Sequence, residues 1–269
     1  MKACLAVVAL TLLVSSSARA QSADPPVARE DAPFLASLAA QPAPAPPTPR
    51  HTGIRAMVSS LGRDFRELPS KENLFWVGVG GAGALAAHRG DGYVQTHMIG
   101  NKTADRIFEP GKLIGIVGPL AGSISTYAWG RISDNPKVSH VGSDLIESYV
   151  VAAVLTQGLK FATRRERPDF SGKTSFPSGH ASSTFAFATA LERHLGWRYA
   201  VPAYVAASYV AASRLPANRH WASDVVFGAA VGIISGRTVT SNEVQPYPVS
   251  VAPTNGGAMI MIAPRRFNR

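Results

Sequence analysis

From residue 51 to about residue 240, apolar positions recur at helical spacing, with no alternating stretch and no internal repeat. Ile54, Met57, Val58, Leu61, Phe65 and Leu68 share one side of a helix, with Arg55, Arg63 and Arg66 among the polar positions. That is an amphipathic helix, suited either to docking on the domain or to lying on a membrane surface. The same spacing predicts further helices over 74–88, 113–132, 145–167, 178–195, 199–213 and 220–237. Their Ala, Gly and Ser content permits close helix–helix approach. The expected fold class is therefore all-α, a helical bundle of about six core helices. The longest uncharged run, 113–130, has 18 residues between Lys112 and Arg131 but contains Pro119 and four glycines. It reaches the lower edge of a spanning segment, so membrane-embedded and compact soluble bundles both stay open.

The two ends of the chain differ from this body. Lys2, the apolar run 4–14 and Ala18-Arg19-Ala20 read as an export signal, residues 1–20, cleaved after Ala20. Residues 21–50 hold 8 of the 20 prolines, so 21–51 reads as an extended Pro-rich linker rather than a fold. The helical domain occupies 52–240. In the tail, 241–269, the stretches 249–253 and 258–264 flank Thr254-Asn-Gly-Gly257, the pattern of a small C-terminal β-hairpin. The expected location is outside the cytoplasm, in a periplasm or cell envelope if the source is bacterial.

Composition narrows the function classes. With 269 residues, 46% apolar and 16% charged, the chain is neither disordered nor fibrous. Its 27 Lys+Arg against 17 Asp+Glu give a formal charge of +10, compatible with nucleic acid, anionic lipid or phosphate-bearing substrates. Cys4 is the single cysteine, which excludes an intramolecular disulfide.

Three clusters in the second half carry candidate chemistry. The first contains Lys160 and Arg167, seven residues apart, followed by Pro168. A helix would place both cations on one face, with Arg167 near its end because proline disfavours helix in the residue before it. Arg164 and Arg165, between them, read as a solvated basic face. The second is Pro177-Ser178-Gly179-His180 at the mouth of a helix. Free N–H groups, the dipole and the Ser178 hydroxyl make an anion site there, and His180 supplies an acid–base group. The third runs from Ser213-Arg214 to His220 and Asp224. The last two are four apart, so on a helix the carboxylate can accept the imidazole Nδ1–H and leave Nε2 free to attack. Arg214 can clamp an oxyanion. The remaining histidines show no metal-ligand spacing.

Together, and in this order, the clusters resemble the three-part signature of the type 2 phosphatidic acid phosphatase and vanadium haloperoxidase superfamily: Lys-x6-Arg-Pro, Pro-Ser-Gly-His, then Ser-Arg-x5-His-x3-Asp. Every signature residue is matched, over roughly 145–237; only eight residues separate Pro168 from Pro177, a short interval that bears on substrate size. The resemblance implies an acid phosphatase-like enzyme acting on a phosphorylated lipid or small molecule. It implies that Lys160, Arg167, Ser178, Gly179 and Arg214 bind phosphate, that His220 attacks phosphorus with Asp224 in support, and that His180 serves as acid and base. No metal and no cofactor are required, and no nucleic acid partner is expected. Two alternatives stand: a haloperoxidase holding vanadate in the same pocket, and a non-catalytic anion-binding envelope protein.

Overall fold

A computed structural model describes residues 52–241, 249–254 and 257–262 of the chain. The export signal and the whole of the Pro-rich linker read in the sequence lie outside the described residues.

Eight helices are described: α1 (Ile54–Glu67), α2 (Lys71–His88), α3 (Asp91–Met98), α4 (Lys102–Ile132), α5 (Pro136–Thr163), α6 (Gly179–Leu195), α7 (Trp197–Ala212) and α8 (Ala222–Val239). The architecture is all-helical, as the periodicity predicts. In the tail, β1 (Val249–Thr254) pairs antiparallel with β2 (Gly257–Ile262), Val249 opposite Ile262 and Thr254 opposite Gly257.

Helix starts follow local chemistry. Ser70 Oγ accepts from the Asn73 N–H, Asn101 Oδ1 from those of Thr103 and Ala104, and Asn135 Oδ1 from that of Val138 with Pro136 in the first turn. The Asn101 cap starts α4 eleven residues before the apolar run, and the helix continues through Pro110 and Pro119 for 31 residues. Helix α3, which the periodicity does not predict, carries no continuous apolar stripe.

Helix α6 is the centre of the bundle, packed against α5, α7 and α8; α4 lies on α5, and α2 on α8. Ala181, Ala186, Ala188 and Ala190 on α6 are fully buried. Across from them α8 presents Gly228, Gly232 and Gly236 at four-residue spacing. A Cβ on Gly232 would lie 2.4 Å from the Ser182 carbonyl oxygen, so glycine is what lets α8 approach the α6 backbone. The outer surface is unusually apolar. Leu74, Leu85, Trp129, Ile132, Phe161 and Trp197 are each at least 65% exposed. By length and composition, α5 and α8 are apolar enough to cross a membrane.

Helix α5 ends at Thr163, where Arg164 adopts a left-handed conformation (φ 46°). This corrects the expectation that Lys160 and Arg167 share a helix face. Lys160 is on the last turn, whereas Arg167 lies in the loop that crosses to α6. The loop is closed on itself by the Arg167 N–H to the Gly172 carbonyl at 2.9 Å and the Ser175 N–H to the Arg165 carbonyl at 3.0 Å.

Candidate active site

The second and third clusters meet where α6 and α8 begin. Ser178 caps α6, accepting from the Ala181 N–H, while its own N–H donates to the Asp224 carbonyl at 3.0 Å. Gly228 makes that contact sterically feasible, since a Cβ there would lie 2.6 Å from the Ser178 carbonyl oxygen. Ser178 is fully buried, and Gly179 opens the helix beside it.

His180 follows in the first turn of α6. Its Nε2 lies 3.3 Å from the Lys112 carbonyl of α4, and its ring occupies the space left by Gly115, where a Cβ would come within 2.4 Å. Burial lowers its pKa to about 4, with the Arg214 guanidinium and the Lys160 charge acting in the same direction and the Lys112 carbonyl opposing them.

His220 does not lie on the helix with Asp224. It precedes α8, in a turn that ends at Trp221, and is 6% exposed. Its Nδ1 lies 2.7 Å from the Ser175 carbonyl oxygen but 3.7 Å from Asp224 Oδ2. The expected imidazole–carboxylate hydrogen bond is therefore replaced by one to the backbone, since 3.7 Å is beyond hydrogen-bonding distance. The Nδ1–H donates to Ser175, which leaves Nε2 unprotonated. Burial pushes the His220 pKa down; Asp224 opposes this, and the Lys160 and Arg214 charges add to it.

Asp224, fully buried, accepts from the Ser175 hydroxyl at 2.5 Å, the Trp221 N–H at 2.9 Å and an Arg165 guanidinium nitrogen at 2.6 Å. It reaches the imidazole through Ser175, whose hydroxyl bonds Asp224 and whose carbonyl bonds His220. Arg165 is thus not the solvated residue its charged neighbours in the sequence suggest: its side chain is only 24% exposed and pairs with both Asp224 and Asp91.

The remaining cations converge on the same space. Lys160, buried, donates to the Thr174 carbonyl. Arg167 and Arg214 each have a buried Nε with no hydrogen-bond partner among the described residues. Burial and the charges of Arg219 and Arg167 lower the Arg214 pKa, which places these guanidinium groups within each other's fields. Asp169 pairs with Arg219 at 3.1 Å, and the clustered cations in excess of it form a prepared anion site. Among the described residues, no group of three or more His, Cys, Asp or Glu is placed to hold a metal ion.

Residues 142–244 match the profile of the PAP2 superfamily. This segment belongs to the PAP2 superfamily. Two curated relatives match part of the chain, both named lipid A 1-phosphatase. The Porphyromonas gingivalis protein is 42% identical over 112 residues, 40% of this chain and 23% of the relative. The Rhizobium etli protein is 34% identical over 110 residues, 35% of this chain and 47% of the relative. The chain thus spans less than half the length of either. A transmembrane PAP2-type phosphatidylglycerolphosphate phosphatase from Bacillus subtilis has a solved structure covering 70% of this chain and 95% of its own, with 19% identity and a TM-score of 0.45. Lys160, His180, Arg214, His220 and Asp224 all lie within the PAP2 segment, as does Ser175. Asp91, which meets Arg165, lies outside it.

Proposed function

We propose that the protein is a metal-independent phosphatase of the PAP2 type that hydrolyses a lipid phosphomonoester or pyrophosphate through a phosphohistidine on His220. The observation that carries the reading is the His220 Nδ1–H tied to the Ser175 carbonyl, which leaves Nε2 as a neutral nucleophile in the field of Lys160 and Arg214. Lys160, Arg167 and Arg214 neutralise the phosphoryl oxygens, with Ser178 and the Gly179 N–H completing the cradle. Positioning and charge neutralisation are most of what phosphoryl transfer requires. Nε2 forms a bond to phosphorus as the bond to the leaving oxygen breaks, and His180 delivers a proton to that oxygen. In the second step neutral His180 takes a proton from water as its oxygen bonds to phosphorus. The P–N electron pair returns to His220, and inorganic phosphate leaves.

A lipid substrate is supported by the exposed apolar side chains around the bundle and by the names of the two curated relatives. The same surface supports membrane association in an exported, envelope-located protein. A detergent-solubilised panel tests the reading: phosphatidic acid, a prenyl pyrophosphate, lipid A phosphates and a soluble aryl phosphate, each with and without EDTA. We expect phosphate release from at least one lipid, faster than from the aryl ester and unchanged by EDTA. Release from none of the four overturns the assignment, and bromide oxidation with vanadate and peroxide would replace it with the haloperoxidase alternative.

A further inference from the structure

One group of charges reaches beyond the three clusters and has no role in the steps above. Arg165 spans two carboxylates. One guanidinium nitrogen donates to Asp224 Oδ1 at 2.6 Å and to the Ser223 hydroxyl at 2.7 Å; the other donates to Asp91 Oδ2 at 2.8 Å. Asp91, on the first turn of α3 and 5% exposed, is held in turn by the Ser223 N–H at 2.9 Å and hydroxyl at 2.6 Å. The exposed ring of His88 closes the outer side, its Nδ1 2.8 Å from Asp91 Oδ2. Burial favours the neutral acid, but the bonds from Ser223, Arg165 and His88 outweigh it and keep Asp91 below the usual carboxylate range.

From here a continuous line of contacts runs to the nucleophile: Asp91 to Arg165, Arg165 to Asp224, Asp224 to the Ser175 hydroxyl, and the Ser175 carbonyl to His220 Nδ1, every link between 2.5 and 2.8 Å. We propose that Arg165 and Asp91 are positioning residues, a buried carboxylate–guanidinium–carboxylate brace that sets Asp224 and, through Ser175, the aim of the His220 ring. The inference rests on the reading of His220 as nucleophile. It also gives α3 a function: a helix outside the PAP2 segment supplies the outer anchor of the nucleophile's support. The brace is needed because Asp224 does not touch the ring. A carboxylate that acts through a serine transmits any shift of its own to the Ser175 backbone, and a misplacement of about 1 Å at the reacting atom costs on the order of a hundredfold in rate.

The test uses the full-length protein, an aryl phosphate for turnover and sulfate for binding. Asp91→Asn keeps the shape and removes one charge; Arg165→Lys keeps the charge and removes the two-armed geometry. We expect kcat about tenfold lower in Asp91→Asn and about a hundredfold lower in Arg165→Lys, with KM and the sulfate Kd within about twofold of the parent. Because Asp91 acts through Arg165, the double variant should be no slower than Arg165→Lys alone. Parental kcat in both single variants, losses that multiply in the double, or a parallel loss of sulfate affinity each overturns the brace. Should Arg165→Lys not fold, Asp91→Asn decides alone, parental kcat overturning the proposal. If the parent protein hydrolyses no phosphate ester, the phosphatase reading fails separately. The brace is then judged by nitrogen NMR of His220, where the Nδ1–H tautomer should persist in the parent and be lost in Asp91→Asn; its persistence in both overturns the proposal.

Discussion

The three clusters together line a cup, and its two histidines are held in opposite ways. His220 is almost fully buried and is anchored through Ser175 to Asp224, a carboxylate that itself accepts three hydrogen bonds between 2.5 and 2.9 Å. The His180 ring has one polar contact among the described residues, 3.3 Å long, to the Lys112 carbonyl, and it rests against a glycine. The difference matches the demands of the proposed steps. A nucleophile must approach phosphorus in line from one fixed direction, so its tautomer and orientation are set in advance. A group that first gives a proton to a leaving oxygen and then takes one from water serves two partners, and a tightly bonded ring would serve only one.

Breaking the fixed side should have the largest effect. His220→Ala removes the only group proposed to bond with phosphorus, and we expect turnover to fall by on the order of 10³-fold or more, with no labelled phosphate trapped on the protein after acid quench. Retained turnover would remove His220 from the mechanism. Breaking the loose side should separate the two steps. With an aryl phosphate, whose leaving group needs little help from an acid, His180→Asn should still form the phosphoenzyme and then stall, so that label accumulates on His220. With a lipid phosphate both steps need His180, and the loss should be about 10²–10⁴-fold. Equal losses on both substrates, with no accumulated label, would deny His180 its double role.

Much of this arrangement was legible from residue order, and the exceptions share a physical cause. Helical periodicity located the bundle, and the three clusters located the cup, because both depend on spacing along the chain. The support beneath the nucleophile depends on where the chain crosses itself. Arg165 sits in Arg164-Arg165-Glu166-Arg167, a charged run that looks solvated. It is half-buried and paired because α5 stops at Thr163 and the loop turns inward. Ser175 acts through its carbonyl as much as its hydroxyl, and a carbonyl leaves no trace in residue identity. The four-residue spacing of His220 and Asp224 suggested a shared helix face, yet α8 begins at Ala222, with Asp224 capping the Trp221 N–H and so turned away from the ring. Asp91 lies on a short helix with no apolar stripe to announce it, more than a hundred positions before its partner Ser223. At the other end of α5, Asp144 and His194 form a buried pair at 2.9 Å that sequence order equally conceals.

The smallest expected effect concerns how the two histidines respond to charge. Burial and the neighbouring cations, Arg214 foremost, hold His180 near a pKa of about 4, so at neutral pH it is uncharged. A bound dianion favours the imidazolium and must raise that pKa, which makes binding take up a proton. The sign follows. Affinity is greatest below the pKa of the complex and weakens as pH rises through it, while below about 4 both states are protonated and the dependence levels off. Sulfate, a dianion throughout, isolates the protein's contribution. Between pH 8 and pH 5 its binding should tighten by up to about tenfold per pH unit. His220, whose pKa is also lowered, contributes part of that slope, so His180→Asn should flatten the dependence without abolishing it. An identical slope in parent and variant would mean that the loosely held ring does not sense the anion, and the contrast between a fixed nucleophile and a responsive acid would be lost.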